Sequence, residues 1–87
     1  MVPPDVNGLE CIPSEPGDLI LKWEEPWTGI PVEKYSIWIQ ILREEHFTTK
    51  TYFHKKGFQI GNQLDIWVRP ISGTYVGGWG KRVLCNV

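Results

Sequence analysis

The sequence has little of what membranes and nucleic acids demand. Nine Lys and Arg stand against ten Asp and Glu, a formal net charge of −1. Without a basic excess there is no electrostatic footprint for a phosphate backbone or an anionic bilayer, so neither nucleic-acid binding nor direct membrane insertion is expected. No apolar run approaches the roughly 18 residues of a membrane span, and the opening MVPPDVNG lacks the apolar stretch of a signal peptide. Helical patterning is also missing: no window sustains apolar residues at i, i+3, i+4 and i+7. There is no Asn-x-Ser/Thr acceptor, no internal repeat and no low-complexity tract.

Groups for catalysis are equally scarce. The two histidines, His46 and His54, are the only ones, and no cysteine or carboxylate stands at ligand spacing to complete a metal site with them. Glu24-Glu25 and Glu44-Glu45 are adjacent pairs, and neighbours on a strand point to opposite faces, which keeps them from forming an acid/base dyad. Ser14, Ser36 and Ser72 have no nucleophile context. Gly77-Gly78-Trp79-Gly80 leads into a strand-like run rather than a helix N-terminus, so it is no phosphate loop. A non-enzyme with no cofactor and no metal is expected.

What is present suits one small β domain. The 87 residues (1–87) allow a single core. A domain of this size buries only about 60–65% of the surface its unfolded chain exposes, so it needs large core side chains or a staple. Five Trp supply the first, and 41% hydrophobic residues is too many for disorder. Seven prolines and nine glycines punctuate short alternating runs. Asp18 to Trp23 sets Leu19, Leu21 and Trp23 on one face; Val32 to Ile41 does the same with Tyr35, Ile37, Ile39 and Ile41; Leu64 to Arg69 with Leu64, Ile66 and Val68. Gly8–Ile12, Phe47–Phe53, Gly57–Ile60 and Lys81–Val87 are further candidates. About seven half-buried strands, with no segment long enough for a crossover helix, predict an all-β, seven-stranded antiparallel β-sandwich.

Leu19-x-Leu21-x-Trp23-x-x-Pro26, followed by Gly29-x-Pro31-Val32-x-x-Tyr35-x-Ile37, resembles strands B and C of a fibronectin type III domain, an immunoglobulin-like sandwich. Pro3-Pro4 with Leu9-x-Cys11 is similar to its strand A, Leu64-x-Ile66-x-Val68-x-Pro70 to strand F, and Gly78-Trp79-Gly80 through Val83 to the approach to strand G. The likeness covers nearly the whole chain and is that of a divergent member. Leu64 stands where most members carry the corner tyrosine of strand F, and Pro70 where a small residue is usual. Because proline donates no ladder bond, Pro70 is expected to end the pairing or mark a bulge.

The resemblance puts Cys11 and Cys85 on strands A and G, at one edge and in opposite sheets. A bridge there would staple the sheets and imply an oxidising compartment. Most type III domains have no disulfide, and two reduced, buried thiols remain the alternative.

Two surfaces stand out as binding candidates. Trp38, Trp67 and Arg69 alternate away from the buried faces of strands C and F, with Gln40 beside them. They form either a local ladder in which the guanidinium stacks on an indole or a face offering Trp anchors to a protein partner. The second is the pole of the B–C, D–E and F–G loops, with Trp27, Thr28, Tyr75 and Val76; Trp79 is expected to pack against strand F. Lys50, His54, Lys55 and Lys56 make a mild basic edge, read as a solvated face with a heparin site as the alternative. Neither Arg-Gly-Asp nor the WSxWS pattern of cytokine receptors is present. The expectation is a monomeric protein-interaction module of a receptor, adhesion or matrix protein, met by a protein partner or neighbouring domains in an extracellular or cell-surface setting. The alternatives are a structural spacer, an intracellular cytoskeletal or signalling module, and a carrier domain of a carbohydrate-active enzyme.

Overall fold

The computed structural model describes residues 6–26 and 31–87. The strands are β1 (Asn7–Cys11), β2 (Leu19–Glu24), β3 (Lys34–Ile39), β4 (Glu44–Thr48), β5 (Tyr52–Lys55), β6 (Gln63–Ser72), β7 (Tyr75–Val76) and β8 (Val83–Asn86). They form two antiparallel sheets, one ordered β1-β2-β5 and the other β4-β3-β6, with β7 and β8 sharing the far edge of β6. The two short strands are thus one interrupted strand, and the sandwich has seven strand positions. Among the described residues no helix is long and apolar enough to cross a membrane.

Period-two alternation decides the core. Leu19, Leu21 and Trp23 from β2 face Tyr35, Ile37 and Ile39 from β3 and Leu64, Ile66 and Val68 from β6, all buried, with Cys85 and Val87 closing one side. Trp23 and Tyr35 meet edge to face, ring centroids 5.3 Å apart, the arrangement that puts a positive ring edge on a negative ring face. Burial raises the Tyr35 phenol above its ordinary value, and the Glu25 carboxylate adds to the effect. The folded state therefore keeps a proton that the unfolded chain gives up near pH 10. Tyr35 contributes its full stabilisation below that pH and loses it as the pH rises through the folded value. Alkaline titration of the denaturation midpoint should show stability falling above about pH 10, and Tyr35→Phe should flatten that fall.

Several local expectations are corrected. Phe47–Phe53 is not one strand: Lys50 N–H donates to Thr48 Oγ1 at 3.2 Å in a tight turn, and the chain passes from β4 in one sheet to β5 in the other. This hydroxyl-to-backbone bond competes with continued pairing. Gly57–Ile60 forms no strand, since its backbone is spent on loop contacts such as Phe58 N–H to Gly17 C=O. Gly17 is required there: its φ is +86°, and a Cβ would lie 3.2 Å from the Phe58 carbonyl oxygen. The run Val32 to Ile41 is strand only over Lys34–Ile39, and Ile41 is exposed in the turn that Arg43 closes at φ +51°.

Pro70 neither ends β6 nor bulges it; it pairs with Tyr35, and the strand runs on to Ser72. Backbone groups of successive residues point to opposite edges. The Ile71 carbonyl accepts from Glu33 on the β3 side, whereas the Pro70 carbonyl accepts from Gly77 on the other. The missing N–H of Pro70 thus faces the interrupted edge and costs the β3–β6 ladder nothing. At the corner lacking a tyrosine, Leu64 is buried, and two backbone bonds, Gly61 N–H to Val87 C=O and Val87 N–H to Asn62 C=O, tie down the loop.

Cys11 and Cys85 form a disulfide between β1 and β8, with Cα atoms 5.8 Å apart. It joins the two sheets at their shared edge.

Candidate interaction face

The outward parity of β3, β4 and β6 builds one aromatic and charged surface. Trp38 lies opposite Trp67 on β6 and opposite Glu45 on β4, while Ser36 lies between Arg69 and Phe47. The interruption between β7 and β8 frees the segment carrying Trp79 to fold back over this surface, its ring centroid 4.1 Å from the Arg69 guanidinium carbon. The guanidinium also reaches Glu45, Nη2 to Oε2 at 3.4 Å. Ser36, fully buried although on the outer side of the sheet, donates to the same Oε2. Glu45 is thereby held by two partners, while Arg69 Nε is buried and has none among the described residues. Trp38 Nε1 donates to Gln40 Oε1 at 2.6 Å. Arg82 Nη1 meets Asp65 at 3.0 Å, while Lys34, on the same face, lies over the Phe47 ring with its Nζ 4.8 Å from the centroid.

Between Trp38 and Trp79 lies an open slot of about 310 Å³, with Glu45 and Arg69 as its other lining residues. Of the residues expected on this face, Trp38 and Arg69 line the slot. Trp67, half-buried beside Trp38, does not. The indole stacked on Arg69 is that of Trp79, which thereby packs against β6. Glu45 was absent from the sequence reading of this face; its signal is the strand parity that sends it opposite to Glu44, which instead lies 3.4 Å from His46 Nε2.

The loop pole offers less. Trp27 and Thr28 lie outside the described residues, as does the side chain of Tyr75. Val76 is exposed opposite Ile71. At the basic edge, Lys50 leans on Tyr52, its Nζ 5.3 Å from the ring centroid, and His54 lies 3.5 Å from Asp18. The outer face of the three-stranded sheet is mixed and mostly polar, with Glu10, Lys22, Glu24 and His54 exposed and Tyr52 its single exposed aromatic ring. Among the described residues no group of three His, Cys, Asp or Glu is placed to hold a metal ion.

No protein-family model matches the sequence, and no curated protein does. Solved structures match its shape. Domains d3-d4 of the rat CD45 extracellular region superpose with a TM-score of 0.79 at 14% identity, over 97% of this chain and 48% of that one. The Caenorhabditis elegans twitchin kinase region gives 0.75 at 16%, over 90% and 15%. A fibronectin type III domain derived from the human KIAA0970 protein gives 0.78 at 9%, over 94% and 72%. The chain thus spans about half of the CD45 piece and a small part of the twitchin one. At such identities the likeness is one of architecture: the molecule is an immunoglobulin-like β-sandwich. Its fold is that of a fibronectin type III domain, in a divergent sequence.

Proposed function

We propose that this is a non-catalytic recognition module, one domain over residues 1–87 of a larger receptor, adhesion or matrix protein, and monomeric in isolation. It meets a protein partner through the outer face of the sheet that β3, β4 and β6 build. The observation that carries this reading is the asymmetry of the two outer faces. Trp38, Trp67, Trp79 and Arg69 gather on one, while the other is mostly polar. Trp and Arg in a half-buried cluster are the residue types on which binding energy concentrates.

The Cys11–Cys85 bridge supports an extracellular or cell-surface setting, because such bonds persist in oxidising compartments. The CD45 match comes from an extracellular region, although the twitchin match comes from a kinase region. A spacer role has one observation in its favour: the stack of Trp79 on Arg69 satisfies much of the face internally.

The test is binding of the multimerised domain to intact cells and to deposited matrix. The double variant Trp38→Ala/Trp67→Ala should bind at least roughly tenfold more weakly, the loss of one hot spot's worth of contact, with its fold intact by circular dichroism. Equal binding by variant and wild type would remove this face as the contact surface, and no binding by the wild type would leave the spacer role.

A further inference from the structure

The floor of the slot dictates what can enter it. Both described bonds to Glu45 end on Oε2, and among the described residues Oε1 accepts none. Beside it, the Arg69 guanidinium is fixed by Glu45 and Trp79 and carries N–H groups beyond the one spent on Oε2. These two charges cancel each other, so neither an acidic nor a basic ligand gains net Coulomb energy. A free acceptor next to free donors instead matches a pair of adjacent hydroxyls: one O–H donates to Oε1, and the neighbouring oxygen accepts from the guanidinium.

The walls are indoles, Trp38 pinned by Gln40 and Trp79 by Arg69. One face of Trp79 is already covered by the Arg69 guanidinium; an indole face that remains open attracts the weakly positive C–H groups of a saturated ring. A volume of about 310 Å³ takes such a ring with space for its linkage. A proline ring suits the walls equally well, but its peptide offers carbonyl acceptors at that residue and no N–H, leaving Glu45 Oε1 unmatched.

We propose that the slot binds a neutral pyranose residue of a glycan, its vicinal diol on Glu45 and Arg69 and its ring against Trp38 and Trp79. This rests on the face being a recognition surface and names what it recognises.

The first test is titration of the 15N-labelled domain with neutral oligosaccharides of glucose, galactose, mannose and N-acetylglucosamine, and with a heparin fragment as the charged contrast. The indole N–H resonances of Trp38 and Trp79 should move with at least one neutral sugar while that of buried Trp23 stays. Glu45→Gln and Trp79→Ala should each weaken the effect at least tenfold; the conservative Glu45→Gln keeps the test decisive if Trp79→Ala unfolds. No shift with any neutral sugar, shifts with heparin alone, or undiminished binding by Glu45→Gln overturns the proposal. The second test repeats the cell-binding experiment after enzymatic removal of N- and O-linked glycans. Lost binding supports the proposal. Binding that survives deglycosylation overturns it while the protein-recognition reading stands, and a wild type that never binds cells fails that reading, leaving the glycan proposal to be decided by the titration.

Discussion

Replacing Cys11 and Cys85 together by alanine is expected to lower the unfolding free energy by about 4 kcal/mol. The two residues are 74 apart in sequence, so the bridge closes nearly the whole chain into a loop. On a chain-entropy account its main effect is to deny the unfolded state most of its extended conformations. For a domain of this size, whose total stability is about 4–13 kcal/mol, that is a large share. It corresponds to a fall of roughly 15–30 °C in Tm. Urea unfolding of the wild type with and without reductant, set beside the double variant, checks the expectation. Reduced wild type and variant should coincide within about 1 kcal/mol, since the residual difference is only the small volume of the thiols. A midpoint that reductant leaves unmoved would mean that the two sheets hold together without the staple.

The second large effect is at Trp23. Trp23→Ala should cost about 3–5 kcal/mol, the range for emptying an aromatic site in a close-packed core. Among the described residues Trp23 is the largest fully buried side chain, and it packs edge to face on Tyr35 between the sheets. In so thin a sandwich, neighbours cannot collapse into the space without breaking strand register. Trp38→Ala is the contrast. Trp38 is half-buried on the outer face, and its truncation should cost about 1 kcal/mol or less, within the usual range of partly exposed substitutions. Chemical denaturation of the two variants should separate them by several-fold in free energy. Near-equal losses would mean that the outer aromatic cluster carries as much of the stability as the core.

The inner layer was legible in the sequence because alternation is a local signal. Leu19, Leu21, Trp23, Tyr35, Ile37, Ile39, Leu64, Ile66 and Val68 follow strict parity within three runs, and all nine are buried. The break between β4 and β5 was not legible. Phe47 to Phe53 carries no glycine or proline, and the turn rests on a Thr48 hydroxyl whose role depends on where the two sheets require the chain to go. Pro70 misled for a related reason. Whether a proline harms a ladder depends on which edge its missing N–H faces, and that is settled by the register with β3. The outer face was half legible. Parity placed Trp38, Trp67 and Arg69 together, whereas Trp79 reaches them only because β7 and β8 do not join, and Glu45 only through its pairing with Trp38. Trp79 depends on the path the chain takes between β7 and β8, and Glu45 on the register of β4 against β3, neither of which strand parity alone encodes.

The position of the disulfide also governs how the domain bears load. Tension drawn along the polypeptide meets the sandwich at Asn7, passes along β1 to Cys11 and leaves through Cys85 near the end of β8, and the two cysteines are covalently joined 5.8 Å apart, Cα to Cα. The 74-residue separation spans chain that would otherwise unravel into about 250 Å of slack. With the bridge closed, the pull can strip the part of β1 that precedes Cys11, but it bypasses the strands between the two cysteines, and the core they carry is not stretched. With it reduced, the same pull peels β1 and β8 from their sheets. Between its two cysteines the molecule is an inextensible link while oxidised and an extensible one when reduced.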